Sequence, residues 1–196
     1  MMHRLLFCCL FCLAGVVSAW GAPSEQPVRL DSVQADFTQE KHLPILARPL
    51  ISHGRFVFQA PGSLRWEYLD PVRSVLLMHK GAITKLVDRD GQLQRDHGTG
   101  IDAMRVILEE IGSWLDGRFT DNPLFKVTQV DAHTVQLTPR EAGLRGIINH
   151  IELHLEQEVG MLKRVIIVED VDSYTRLTFS NEILNASIPD QTFTIP

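Results

Sequence analysis

The chain of 196 residues reads as mainly β, an antiparallel meander interrupted by one helix, and three observations predict this. Short segments that alternate apolar and polar residues with a period of two recur along the sequence. Turn signals separate them at close spacing, which favours a meander over an α/β alternation. Only residues 101–115 change to helical spacing.

The most informative stretch is 52–71, SHGRFVFQAPGSLRWEYLDP. Phe56 and Phe58 fall on one strand face, Pro61, Gly62 and Ser63 turn the chain, and Leu64, Trp66 and Tyr68 repeat on one face of the returning strand. Aromatic side chains bring the largest apolar area per residue. This face must therefore be buried in a core or kept for an apolar ligand.

From the start of the chain, residues 1–4 are short and basic and residues 5–17 form an unbroken apolar run of 13. Val17, Ser18 and Ala19 then occupy the positions a signal peptidase reads, so 1–19 is expected to be a secretory signal, with Gly21 and Ala22 as alternative cleavage points. A spanning helix needs about 20 apolar residues, so the run is read as removed and not as an anchor. A lipoprotein signal would need Cys after Leu13, Ala14 and Gly15, where Val16 stands. Cys8, Cys9 and Cys12 all lie within the signal, so the mature chain, 20–196, has no disulfide and depends on one core of its own. Its 18 basic and 24 acidic residues give a net charge of about −6. That argues against nucleic acid and against electrostatic binding to an anionic membrane.

Residues 22–30 are polar with flanking prolines and leave room for a short helix at most. Val33, Ala35 and Phe37 then alternate with polar neighbours, which points Phe37 inward. Similar segments recur at 75–77, 83–87, 125–130, 134–138, 148–155, 162–168 and 176–179. Turns are expected at 80–81, 88–91, 131–132, 159–160 and 170–173, and with the aromatic hairpin the total is about ten strands in one domain. Residues 151–155 alternate Ile, Leu and Leu with Glu152 and His154, a strand with one wet face, whereas 165–168 is apolar on both faces and is expected to be covered on both. In the helix, Met104, Ile107, Leu108, Ile111 and Leu115 make an apolar stripe, with Thr99 and Asp102 as a weak capping box and Gly117 as its stop. Such a helix either plugs the core or covers an opening of the sheet. About ten strands with one helix leave room for a cavity.

Catalysis finds little support. The histidines from His42 to His154 are scattered, with no helix-borne metal motif, nucleophile elbow or phosphate loop. His150 and His154 share a strand face with Glu152 and Glu156, a set far more often solvated than metal-binding. Asp88, Asp90 and Asp96 read as turn chemistry, and the rest of a calcium loop is missing after Asp88. No metal and no cofactor are expected.

Taken in order, Phe37-Thr-Gln39-Glu-Lys41, Ser52-His-Gly54-Arg-Phe56, Leu64-Arg65-Trp66-Glu67 with Pro71, Lys80-Gly81, Leu137-Thr-Pro139 and Phe193-Thr-Ile-Pro196 resemble the LolA family of periplasmic lipoprotein carriers over nearly the whole mature chain. The resemblance implies an incomplete antiparallel β-barrel of about eleven strands closed by a helical lid. It also implies a monomeric periplasmic carrier, exported in a Gram-negative bacterium, for the acyl chains of lipoproteins or a related lipidic cargo. An inner-membrane ABC-type transporter would load it and an outer-membrane acceptor lipoprotein would unload it. On this reading Phe37, Phe56, Phe58, Leu64, Trp66 and Tyr68 are candidates for the cavity wall, and Met104, Ile107, Leu108 and Ile111 for the lid. Two departures mark a divergent member. The best-known carriers hold the lid with an arginine just before the proline matching Pro61, where this chain has Ala60, and they continue with an extension beyond the position of Pro196. Arg65 points opposite to Leu64 and Trp66 by strand alternation, so it is not a ready substitute. Two other classes remain: a non-enzymatic envelope sensor or interaction module on the same scaffold, and an envelope hydrolase using His150 and His154.

Overall fold

A computed structural model describes residues 30–96, 110, 111, 114, 122–156 and 162–195. The expected signal, the helix caps Thr99, Asp102 and Gly117, the turn at 159–160 and the lid candidates Met104, Ile107 and Leu108 lie outside them.

Eleven strands are described: β1 (Ser32–His42), β2 (Leu50–Gln59), β3 (Ser63–Asp70), β4 (Ser74–His79), β5 (Ala82–Arg89), β6 (Gln92–Arg95), β7 (Phe125–Gln129), β8 (Thr134–Pro139), β9 (His150–Leu155), β10 (Leu162–Asp170) and β11 (Ser173–Leu184). A four-residue helix, α1 (Ala142–Arg145), precedes β9, and a 3-10 turn at Asp190–Phe193 follows β11. All neighbours pair antiparallel, in the order β6-β5-β4-β3-β2-β1-β11-β10-β9-β8-β7. The sheet is open, with β6 and β7 as its edges. The first and last strands meet at its centre, where Phe37 lies opposite Phe179.

The aromatic hairpin forms as the alternation predicts, with Phe56 opposite Trp66 and Phe58 opposite Leu64. Lys80-Gly81 and Asp90-Gly91 close two further hairpins with both residues of each pair at positive φ, the backbone that matches strand twist in a two-residue turn. Asp88 Oδ1 accepts the Gly91 N–H at 2.8 Å, so this aspartate serves the turn, as expected.

One face of the sheet carries the main core, which we call the inner face. Helical residues Ile111 and Trp114 are buried in it together with Phe37, Phe56, Leu64 and Trp66. Ile151 and Leu153 of β9 point the same way, fully buried, while Glu152 and His154 face outward and half-exposed, as the alternation required. The outer face has a smaller cluster in which Val75, Leu77 and Leu86 are covered by Ile188 and Phe193 of the C-terminal segment.

The expected double cover of 165–168 is corrected by the structure: Val165 is buried, but Ile166 and Val168 are only part-buried. Double cover falls instead on β4. There Leu76 and Met78 pack on the inner core while Val75 and Leu77 are buried outward, because the C-terminal segment returns across this part of the sheet.

Candidate ligand-binding face

The six wall candidates come from β1, β2 and β3, and all project from the inner face. Phe37, Phe56, Phe58, Leu64 and Trp66 are each at most 5% exposed, with Tyr68 part-buried against them. Their rings interlock: Phe37 and Trp66 lie 4.8 Å apart between centroids, Phe37 and Tyr68 meet edge to face at 5.2 Å, and Phe56 and Trp66 do so at 5.4 Å. These spacings are those of favourable offset and T-shaped pairs. Among the described residues the wall is thus a closed aromatic layer. Phe179 of β11 belongs to it, 5.8 Å from Phe56 and 6.3 Å from Trp66.

The layer needs Gly54. A Cβ there would stand 2.1 Å from the Glu67 carbonyl oxygen and 2.5 Å from Cζ of Phe37, the residue paired with Gly54 across β1 and β2. The Phe37 ring lies over backbone that only glycine leaves uncovered.

Of the lid candidates, Ile111 is described, helical and buried in the same cluster as the wall. Trp114 is helical, 1% exposed and 6.4 Å from Phe125. It stands three residues after Ile111, within the span of the apolar stripe. Glu110 receives a hydrogen bond from the Asn122 amide, while Asn122 Oδ1 accepts the N–H groups of Leu124 and Phe125 at 2.9 Å, tying the helical residues to the start of β7.

Polar groups inside this layer are few. The Tyr68 hydroxyl donates to Gln39 Oε1 at 2.8 Å. Burial pushes its pKa up to about 12, against the opposing hydrogen-bonding influence of the Trp66 indole beside it. Even so, Trp66 Nε1 makes no hydrogen bond of good geometry, nor does Trp114 Nε1.

The outer face is held by charge. Arg65 donates to Glu67 Oε2 at 2.9 and 3.0 Å, Arg73 donates to Oε1 at 3.0 and 3.2 Å, and Arg65 also reaches the Thr192 carbonyl at 3.3 Å. Burial pushes the Glu67 carboxyl up, but the bonds and charges of the two guanidinium groups together outweigh it and hold the pKa below the ordinary value. His79 stacks on Phe193 at 5.6 Å and shares a hydrogen bond with Ser63. Arg65 is therefore committed to the outer face, and Ala60 packs part-buried against the inner core.

A groove of about 280 Å3 also opens on the outer face, lined by Gln34, Asp36, Arg55, Val57, Asn181 and Ile183 beside the bulge in β11. His150 and His154 flank Glu152 at 3.4 and 3.3 Å. Among the described residues, no group of three or more His, Cys, Asp or Glu is placed to hold a metal, and no helix is long and apolar enough to cross a membrane.

Comparison with known proteins gives a family match over most of the chain. The family model described as outer membrane lipoprotein carrier protein LolA matches residues 29–196. No curated protein matches by sequence. Among solved structures, a LolA superfamily protein from Nitrosomonas europaea is similar at 12% identity, with 85% of this chain and 91% of that chain covered and a TM-score of 0.45. A DUF1329 family protein from Desulfovibrio piger is similar at 11% identity, with 84% and 90% covered and a TM-score of 0.46. A chain of the MucA/MucB complex of Pseudomonas aeruginosa is similar at 18% identity, with 84% of this chain and 56% of that chain covered and a TM-score of 0.36.

Proposed function

The chain belongs to the family of outer membrane lipoprotein carrier proteins, LolA, and we propose that it is a non-enzymatic periplasmic carrier which shields acyl chains against its inner face. The observation that carries this reading is the placement of Phe37, Phe56, Phe58, Leu64, Trp66 and Tyr68 on one face, in the same buried cluster as helical Ile111 and Trp114. Each buried methylene is worth about 0.8 kcal/mol, so one long acyl chain supplies on the order of 10 kcal/mol and does not leave a membrane unaided.

The closed aromatic layer sets how loading works. With Ile111 and Trp114 buried in the same cluster as the layer, cargo in this reading enters by exchanging helix–sheet contact for hydrocarbon–sheet contact. The net affinity is the difference between two similar apolar terms, which keeps release downstream accessible. In this reading residues 1–19 direct export and 20–196 form the carrier domain. The cargo is a lipoprotein or another acylated molecule, received from an inner-membrane ABC-type transporter and passed to an outer-membrane acceptor as a monomeric complex.

The test is mass spectrometry of organic extracts from the protein purified out of periplasm. Acyl species in near-stoichiometric amount, lost on substituting Phe56→Glu, are expected. Extracts free of acyl species in both proteins would remove the carrier reading.

A further inference from the structure

Most of the large apolar side chains that the described residues expose gather at one end of the sheet. The β1–β2 loop carries Ile45, 88% exposed, and Leu46, and β2 opens with exposed Leu50 and Ile51. On one side of that loop, Asp70 at the end of β3 pairs with His53, which brings the β3–β4 turn and exposed Val72 beside it. On the other side, Tyr174 at the start of β11 pairs with His42, which brings up the β10–β11 turn and Val171, 90% exposed. The strand order β3-β2-β1-β11-β10 makes the three connections neighbours. The apolar stretch stops at the β5–β6 turn, where the Asp88 N–H donates to the Arg73 carbonyl and Arg89 and Asp90 follow. At the opposite end, the turns at 60–62, 80–81 and 131–133 carry no Leu, Ile, Val or Phe.

The tips are held out in advance. Pro44 and Pro49 fix φ near both ends of the β1–β2 loop and the Leu46 N–H donates to the Leu43 carbonyl at 3.0 Å, so little further ordering is needed on binding. Behind the tips, charges are closed in pairs: Lys41 with Glu169 at 2.5 Å, Arg176 with Glu40 at 2.8 Å and Arg73 with Glu67 at 3.0 Å. Drawing this end out of water therefore strands none of these charges alone. Arg48, Asp70 and Asp172, which stand among the tips, are one base and two acids, so an anionic surface gains nothing here. We infer that this end of the sheet is a membrane-contact surface, which dips Ile45, Leu46, Val72 and Val171 into the headgroup–acyl boundary of an electrically neutral bilayer. Apolar transfer is non-directional, so a fluid interface accepts several projecting side chains at once. A folded partner would have to offer a separate pocket to each turn. Three turns give shallow, reversible contact, far short of the hold of a spanning helix. Contact of this kind goes beyond the carrier reading and does not depend on what the inner face carries.

The test is co-sedimentation of the purified mature protein with phosphatidylcholine vesicles. Binding is expected, and adding phosphatidylglycerol or raising the salt should change the partition coefficient by no more than about twofold. Ile45→Asp and Val171→Asp, at exposed tips, should melt like the parent, and each should lower partitioning about tenfold. The mature chain has no cysteine, so Ile45→Cys and Val130→Cys each give a single site for an environment-sensitive dye. A blue shift on adding vesicles is expected at Ile45→Cys and not at Val130→Cys, which reports on the other end. No binding to phosphatidylcholine, binding that needs phosphatidylglycerol and vanishes at high salt, or an equal shift at Val130→Cys would each overturn the membrane-contact surface. So would a concentration-dependent dimer broken by Ile45→Asp in protein that ignores vesicles, which would give this end to a second copy of the chain. Each of these failures leaves the carrier reading standing, since acyl species in extracts are measured separately.

Discussion

Across β3 and β4 both faces of the sheet are covered, and they are covered differently. Outward, Val75 and Leu77 lie beneath Phe193, and that cover is pinned by Arg65 at the Thr192 carbonyl and by the stacked, hydrogen-bonded His79. Inward, Leu64 and Trp66 share a buried cluster with helical Ile111 and Trp114, and the described polar tether of these helical residues is the bond from Asn122 to Glu110. Directional bonds to a carbonyl or carboxylate cannot be replaced by a hydrocarbon chain, whereas non-directional apolar contact can. The outer cover is built to stay, and the inner one can be exchanged.

The largest effect expected from testing this contrast is at Gly54, where the inner face is least tolerant. Gly54→Ala drives a methyl into the Glu67 carbonyl and the Phe37 ring, at a cost of about 4 kcal/mol or more. Thermal unfolding should show a drop of roughly 10 °C. A melting point within 2 °C or so of the parent would mean that β1 and β2 are looser than described.

On the outer side, Phe193→Ala should cost about 3 kcal/mol through the cavity it leaves over Val75 and Leu77. Denaturant titration would measure this, and acyl binding by the folded variant should stay at the parental level. Loss of binding in folded protein would erase the distinction between the faces.

Tyr68 separates the faces by pH. An unfolded tyrosine ionises near 10, while in the fold burial holds the hydroxyl protonated to about 12. The raised folded value means its contribution is whole below pH 10 and is lost as pH rises from 10 to 12, about 2–3 kcal/mol in all. Melting curves from pH 8 to 12 should therefore fall more gently for Tyr68→Phe than for the parent. Parallel curves would place the hydroxyl in water.

The smallest effect belongs to Glu67. Its carboxyl is held below the ordinary value, so the stability it lends is present above the unfolded carboxylate pKa of about 4.3 and is lost as pH falls through the folded value. Discounted for solvent screening, Glu67→Gln should cost roughly 1 kcal/mol at neutral pH and less at pH 3. An equal cost at both pH values would assign its role to packing.

Much of this contrast was legible in the residues. Period two placed Phe37, Phe56, Phe58, Leu64, Trp66 and Tyr68 on one face because a strand leaves side chains no third direction. Trp114 was missed although 107, 111 and 114 share one helical stripe, and Phe179 was missed because a short segment, 176–179, says nothing about which strand it will face. β6 escaped notice since Leu93 is the lone apolar residue of its four. The outer cover was hidden for a deeper reason. The runs 75–78 and 165–168 look alike, and only the return path of Ile188 and Phe193, a long-range property, decides which of them is covered twice.

The claim beneath all of this is that cargo lies on the inner face. Photo-crosslinking with a diazirine-bearing fatty acyl probe, followed by peptide mapping of the labelled protein, tests it most directly. Label on the peptides holding Trp66 and Ile111 is the predicted result. Label concentrated at the outer groove around Gln34, Arg55 and Ile183, or spread evenly over both faces, would contradict it.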